Sequence, residues 1–409
     1  MSPDGTRVES SQDPPVWMPL REAAFRAGWL AAVLAIGAIW MQDVAVAWVV
    51  RELSGADPLA IALVQTATSL PVMLLVLPAG TLGDLLDRRR VLAIAVGWLA
   101  ACGVLLAWAS REDSGVGVVG MLALTARAGV GKALALPTFS AAGAELARRG
   151  ELRQAVALYS VANNVARIAG PGLAGVLLYA AGASATFALT AAANLLALAL
   201  VWSVPPARLA RSVELRGRFG AALAEGVAYS VGDAVYRRVV LRLATFFLCA
   251  TIVHAMLPLL VDDARWLGIS WGCYGAGAIV GALLFPRIAG RTSTSRQLSV
   301  GIALHASMLA SLPVVEGDAA RAGVLLVLGS AWFSVISGGQ LQLQRRLPDA
   351  LRARGMAVFT LVMMAGFAVG AVLWGTLARE AGVALAIWAA AATSCAALLV
   401  TARLSVDSP

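Results

Sequence analysis

Lysine is almost absent from this chain: Lys132 is the single example among 409 residues. Histidine is nearly as scarce, with only His254 and His305. Charged residues make up 13% of the sequence, about half the ~25% of soluble domains. A chain so poor in charge does not read as a soluble globular protein. The four cysteines (Cys102, Cys249, Cys273 and Cys395) all fall inside apolar runs with no CxxC or zinc-type spacing. They read as small packing residues, not as metal ligands or a disulfide framework.

Other absences exclude chemistry. No GxxxxGK[ST] loop is present, which argues against ATP-driven work by this chain alone; Gly129-Val130-Gly131-Lys132 lacks the first Gly and the Ser/Thr. No HExxH, Ser-His-Asp order or metal cluster is visible, so neither an enzyme nor a metal or cofactor site is expected. The formal net charge of +9 does not point to nucleic acid, because the arginines are spread in short groups between apolar runs.

What the chain has is apolar length. Sixty per cent of it is hydrophobic and the mean hydropathy is +0.80. Runs of about 20 apolar residues recur throughout, the span of a bilayer-crossing helix. The pattern predicts an all-α membrane protein with twelve transmembrane helices at 25–50, 58–82, 91–110, 116–141, 155–181, 184–204, 239–261, 268–288, 298–315, 322–346, 356–378 and 383–404. The eighth and ninth are short. The start lacks the basic–apolar–small pattern of a cleaved signal, so the first helix is expected to stay in the mature protein.

Alternate connections are rich in arginine: Arg88–Arg90; Arg148, Arg149 and Arg153; the stretch from Arg208 to Arg238; Arg287, Arg291 and Arg296; and Arg345 to Arg354. The intervening ones hold single arginines offset by acids. The positive-inside rule puts both termini and the Arg-rich loops in the cytoplasm. The longest break, which includes FGAALAEGVAYSV, reads as a linker with an amphipathic surface helix. It divides the chain into a six-helix bundle (1–204), a linker (205–238) and a second six-helix bundle (239–409). The bundles look like distant copies, with Gly170 and Gly175 matched by Gly370 and Gly375.

Between the second and third spans stands GTLGDLLDRRR. It resembles the loop signature of the major facilitator superfamily, Gly-x-Leu-Ala-Asp-Arg-x-Gly-Arg-Arg. Gly80, Leu82, Asp84, Arg88 and Arg89 match; Leu85 and Asp87 replace the usual Arg and Gly. LTARAGVGKAL is similar to the superfamily's Arg-x-x-x-Gly pattern through Arg127 and Gly131. ARIAGPGLAG is similar to its antiporter signature through Gly170, Pro171 and Gly175. Longer stretches resemble the branch holding the enterobactin exporter and macrolide-efflux relatives. The resemblance implies two bundles rocking about a central site. It implies export of a siderophore-, macrolide- or drug-like molecule from the bacterial inner membrane in exchange for protons. The expected partners are that small molecule, protons and lipids, around a monomer. A lipid or metabolite facilitator of the same fold, or a non-transporting sensor or scaffold, are the alternatives.

An ionisable group inside hydrocarbon costs about 2.5–3.5 kcal/mol, so each one needs a partner or a role. Asp43, Arg127, Lys132 and Arg167 stand out. Asp43 is the only acid within any span, and the superfamily's cavity is lined by its first, fourth, seventh and tenth helices. Asp43 is therefore expected to couple protons with Arg127 as its alternating partner; a static ion pair is the plainer reading. Trp40, Gln42, Asn163, Arg167, His254 and Gln340 are expected at the substrate cavity. Arg167 shares a helix face with Asn163, four residues before it. That face binds an anionic or hydroxylated substrate, or else bonds across to a neighbouring helix. Gly170, Pro171 and Gly175 are expected to seal the proton path between bundles. By the resemblance, Gly80, Asp84, Asp87, Arg88 and Arg89 form a conformational latch that closes the cytoplasmic side.

Overall fold

The computed structural model describes residues 15–402 apart from 86, 149, 207–208, 210–231, 290–292 and 349–351, and side chains at 76–85, 288–289, 294, 352–354 and 402 are likewise not described. All described secondary structure is helical. The helices are α1 (Ala23–Leu53), α2 (Pro58–Leu85), α3 (Arg88–Ala109) and α4 (Val118–Leu146). A helical run, Leu152–Ser203, follows; Gly182, at φ 79°, breaks it into α5 (152–181) and α6 (183–203). After the connection come α7 (Ala234–Leu260), α8 (Ala264–Ala289), α9 (Thr294–Ser311), α10 (Asp318–Arg346), α11 (Arg352–Ala381) and α12 (Val383–Ala402).

Among the described residues, ten helical runs are long and apolar enough to cross a membrane. One of them is Leu152–Ser203, whose 52 residues suffice for two crossings at about 1.5 Å per residue. The amphipathic helix expected in FGAALAEGVAYSV lies outside the described residues. Several boundaries differ from the expectation by up to five residues. α8 is longer, and α9 starts four residues earlier than its apolar run, because Ser293 caps it by accepting from Arg296 N at 3.3 Å. A polar Ser/Thr stretch that reads as loop is in part the first turn of a helix.

Acids do the same work elsewhere. Asp57, Asp87, Asp233 and Asp263 each accept backbone N–H groups at the starts of α2, α3, α7 and α8, at 2.7–3.3 Å. Helix N-termini leave N–H groups unsatisfied and carry partial positive charge, so a carboxylate there is favoured.

A 200-residue offset relates the two parts of the chain. Val118–Leu146 and Asp318–Arg346, the starts of the Leu152 and Arg352 helices, and the positive-φ glycines Gly182 and Gly382 all stand 200 residues apart.

The helix ends define an arginine-rich end and an arginine-poor end. At the poor end the first six helices meet the last six. α2 and α11 touch where Gly375 leaves room for Leu59, its Cα only 3.3 Å from where a Cβ would stand, and Thr66 Oγ1 donates to Ala368 O at 3.0 Å. α5 and α8 cross at Gly175 and Gly268, backbone on backbone; a Cβ on Gly175 would overlap Gly268 and lie 2.7 Å from Ala264 O. The apolar core follows this division. One buried cluster joins both sets of helices through residues such as Val46, Ile61, Phe247 and Trp374. The other, built around Phe25, Leu92, Leu146 and Leu158, belongs to the first six helices and lies toward the arginine-rich end.

A Gly175→Val variant cannot keep the α5–α8 crossing, because the obstructing atoms are backbone. With the native cysteines replaced and Val64→Cys placed in the cavity, impermeant maleimide applied at the arginine-poor side is expected to label Gly175→Val several-fold faster than the parent.

Candidate functional site

A central cavity of about 140 Å³ lies where α1, α2, α4, α5, α7, α8 and α11 converge. Its α1 lining (Ile39, Trp40, Asp43, Val44, Ala47) and its α2 lining (Ile61, Gln65, Thr68, Val72 and neighbours) recur at three- to four-residue spacing, one face of each helix. Glycines bring the walls together. Gly170 lets α5 approach α1, where a Cβ would stand 2.9 Å from Gly37 O and from Trp40 Cβ. Gly129 lets α4 approach α2, within 3.1 Å of Thr68 O by the same measure.

Lys132 of α4, 2% exposed, donates to Asp43 Oδ1 in an ion pair, and Thr68 Oγ1 donates to the same oxygen at 3.3 Å. Both charged residues line the cavity. Gln65 Nε2 donates to Ser69 Oγ at 2.8 Å nearby, making α2 a polar wall.

The partner of Asp43 is therefore Lys132, not Arg127. Five residues separate the two cations, placing them about 140° apart round the helix, so both cannot face α1. Thr125, Ala128, Gly129, Lys132, Ala135 and Phe139 are buried, whereas Arg127 is exposed. That stripe of small residues was legible in the sequence and places Lys132 inward. Arg127 contributes its backbone carbonyl, which accepts from Trp98 Nε1 at 2.7 Å.

Other expected site residues divide. Trp40, His254 and Pro171 line the cavity. Gln42 does not: one residue before Asp43, it turns about 100° away and is buried at 2% exposure in the packing of α1. Asn163 is exposed and off the cavity, and the side chain sharing a bond with Arg167 is Asn164, whose Oδ1 accepts from Arg167 Nη2 at 2.9 Å. Arg167 is outside the cavity lining, one turn from Pro171 toward the arginine-rich end, and its guanidinium lies 4.6 Å above the Trp332 ring of α10. Gln340 is two turns beyond Trp332 and outside the cavity lining. His254 packs against Trp271 at 5.0 Å and Phe367 at 5.4 Å, both cavity residues. Thr68, Trp271 and Phe367 were missed, although polar residues at 65, 68 and 69 inside an apolar run were a readable signal.

The loop GTLGDLLDRRR is held within the first six helices. Asp87 caps α3 and lies 3.8 Å from Arg90. Arg88 pairs with Glu145 of α4 at 2.6 Å. Arg89 donates to the carbonyls of Val201 and Trp202 on α6 and stacks 4.6 Å over the Trp202 ring. The surroundings of Gly80 and the side chain of Asp84 lie outside what is described. Gly175 is at the α5–α8 crossing rather than in the cavity.

Membrane-length helices around a small cavity holding a buried ion pair have the build of a secondary transporter, not of an enzyme. The sequence matches the transmembrane secretion effector family of the major facilitator superfamily over residues 15–408, and the chain belongs to that family. It is 27% identical over 377 residues to the multidrug efflux pump Tap of Mycobacterium tuberculosis (strain ATCC 25618 / H37Rv), covering 86% of each chain. It is 24% identical over 371 residues to the enterobactin exporter EntS of Escherichia coli O45:K1 (strain S88 / ExPEC), covering 87% of this chain and 85% of that one. Its fold is similar to that of the nucleoside transporter NupG, with TM-score 0.74 at 12% identity over 92% of this chain and 98% of that one. It is also similar to an inward-facing, unoccupied bacterial homologue of the lysosomal transporter Spinster, with TM-score 0.75 at 12% identity over 93% and 97%. The protein is a multi-pass, secondary-active small-molecule transporter of the inner or plasma membrane.

Breaking a fully buried ion pair by removing one partner costs about 3–5 kcal/mol, because the other charge is left unpaired; here Asp43 keeps 25% of its side chain exposed, which lowers that cost. Asp43→Asn and Lys132→Met should each lower the melting temperature of the purified protein, and the double variant should recover most of the loss. Arg127→Gln should stay within about 0.5 kcal/mol of the parent.

Proposed function

We propose that the protein is a proton-coupled exporter of drug-like or siderophore-like molecules, working by alternating access with Asp43 and Lys132 as the coupling pair. The observation that carries this reading is the ion pair facing the cavity, where a proton and a substrate reach the same group. Protonation of Asp43 removes the countercharge of Lys132. A lone ammonium in a low-dielectric cavity is costly, so Lys132 must then hydrate or find another acceptor, which favours opening. Thr68 holds the carboxylate oriented while it is charged.

Twelve crossings in two bundles, with both termini and the arginine-rich end cytoplasmic, complete the reading. The arginine distribution and the 200-residue offset support it. On that orientation the closed arginine-poor end faces outward, and the cavity is to load from the cytoplasm. At about 140 Å³ it is below the 300–1,000 Å³ of drug-sized sites, so a large substrate needs the bundles to part further. Export and substrate class follow the relatives, a multidrug pump and a siderophore exporter. Asp84 with Arg88 and Arg89 serves as the latch of the opposite, outward-open state; in the present state the two arginines brace α3 against α4 and α6.

Everted vesicles with an imposed pH gradient test the coupling. The parent should accumulate substrates from a panel of siderophores, macrolides and fluorescent drugs, and collapse of the gradient should abolish accumulation. Asp43→Asn and Lys132→Met should lose gradient-driven accumulation by about tenfold or more, while keeping substrate exchange without a gradient. Accumulation indifferent to the gradient would falsify the antiport reading, and transport of lipids alone would favour a facilitator. Asp84→Asn should raise cysteine labelling from the arginine-rich side while leaving insertion intact.

A further inference from the structure

A further cation, Arg167, stands one turn of α5 beyond the cavity-lining Pro171. Asp43 is committed to Lys132, and no carboxylate pairs with Arg167 among the described residues. Arg167 instead lies across the junction of the two helix sets, its guanidinium stacked at 4.6 Å on Trp332 and one N–H given to Asn164 at 2.9 Å. Stacking uses a face of the guanidinium and leaves its remaining edge N–H groups available, the planar fork that suits an oxyanion.

Two further polar groups stand beside it. Tyr274 and Trp332 are each 6% exposed, and Tyr274 Oη and Trp332 Nε1 have no hydrogen-bond partner among the described residues. Buried polar groups are normally satisfied, and leaving one unpaired costs about 1–3 kcal/mol. The two rings are neighbours, with centroids 6.1 Å apart. From Tyr274 the aromatic surface runs on to His254 at 6.0 Å and Trp271 at 5.6 Å, and both of these line the cavity. A cation, an indole N–H and a phenol therefore lie together at one end of an aromatic wall.

We infer that Arg167, Trp332 and Tyr274 form an anion subsite that receives the acidic group of an aromatic organic anion whose ring lies along Trp271, His254 and Phe367. The carboxylate or phenolate accepts from the Arg167 edge, Trp332 Nε1 and Tyr274 Oη, which satisfies all three groups at once. The site commits to an anion because its only full charge is positive and the indole N–H can only donate. Asn164 fixes the guanidinium from the adjacent turn of α5. Since Arg167 and Trp332 stand on different helix sets, a ligand bound there holds the two sets together on the side away from the Gly175–Gly268 crossing.

This names the substrate class of the proposed exporter and rests on reading the cavity as its substrate path. Binding measured at equilibrium without a gradient separates its failure from failure of proton coupling. Purified protein in phosphatidylcholine nanodiscs is titrated calorimetrically at neutral pH with 2-naphthoate and with its neutral isostere 2-naphthamide. The expected result is about tenfold or more tighter binding of the carboxylate, the scale of a charge-assisted hydrogen bond. Arg167→Gln should bring the two affinities together, and Arg167→Lys should restore part of the preference. Tyr274→Phe, which keeps the ring and removes only the hydroxyl, and Trp332→Phe, which removes the indole N–H with part of the ring, should each weaken the carboxylate by about three- to tenfold; Tyr274→Phe should leave the amide alone. Thermal melts identify any variant that has merely lost its fold, and Tyr274→Phe keeps the test independent of the Arg167–Trp332 stack. Equal affinity for the two probes, no binding of either, or a preference unchanged in Arg167→Gln would overturn the assignment and leave Arg167–Trp332 a static fastener. Loss of 2-naphthoate binding on adding phosphatidylglycerol to the nanodiscs would also overturn it, giving the subsite to a lipid headgroup.

Discussion

The ion pair between Asp43 and Lys132 is the constraint around which the middle of this protein is arranged. Either charge alone in a membrane interior is costly; together, with the Thr68 hydroxyl on the carboxylate, they are tolerated. Meeting requires α1 and α4 to present them at the same level, and α2 to come close enough to add Thr68. Gly129 opens α4 to α2, and Gly170 opens α5 to α1 beside Trp40. The glycine content is thus tied to the electrostatics: helices that carried larger residues at those crossings would hold the charges apart.

A second consequence concerns where the two sets of helices touch. Backbone-to-backbone contact at Gly175 and Gly268, and the Gly375 contact with α2, concentrate close packing at the arginine-poor end. Nothing hydrophobic drives helices together within lipid, so close van der Waals approach of small residues is a main source of such contacts. Contacts of this kind would be lost as a unit if the sets parted, which suits the alternating access proposed above. Opposite them, a separate apolar core keeps the arginine-rich part of the first six helices together without the last six. Arg88 and Arg89, tied to α4 and α6, stiffen that same region.

Much of this was readable along the chain. The apolar runs located the helices, and the superfamily signature GTLGDLLDRRR led directly to the family. The pairing of Asp43 is where linear reading went astray. Arg127 matched a superfamily pattern, whereas Lys132 stood out only as an intramembrane charge; yet the buried stripe through Thr125, Ala128, Gly129 and Ala135 includes Lys132 and leaves Arg127 outside. The face of a helix was the better guide, because a side chain's direction follows from its angle round the axis. Gln42 and Asn163 were misplaced for the same reason, each one position off the face that matters.

By itself the sequence determined the all-helical membrane class, the family and the presence of a few costly intramembrane charges. Hydropathy and charge are sums over consecutive residues and need no knowledge of contacts. Only the tertiary structure decided which charges meet: Lys132 with Asp43, Arg167 on Trp332, and Tyr274 beside both Trp332 and His254. Asp43 and Lys132 lie 89 positions apart in the sequence, and Arg167 and Trp332 lie 165 apart. Their meeting depends on helix rotation and on which crossings are made of glycine, and both are settled by packing.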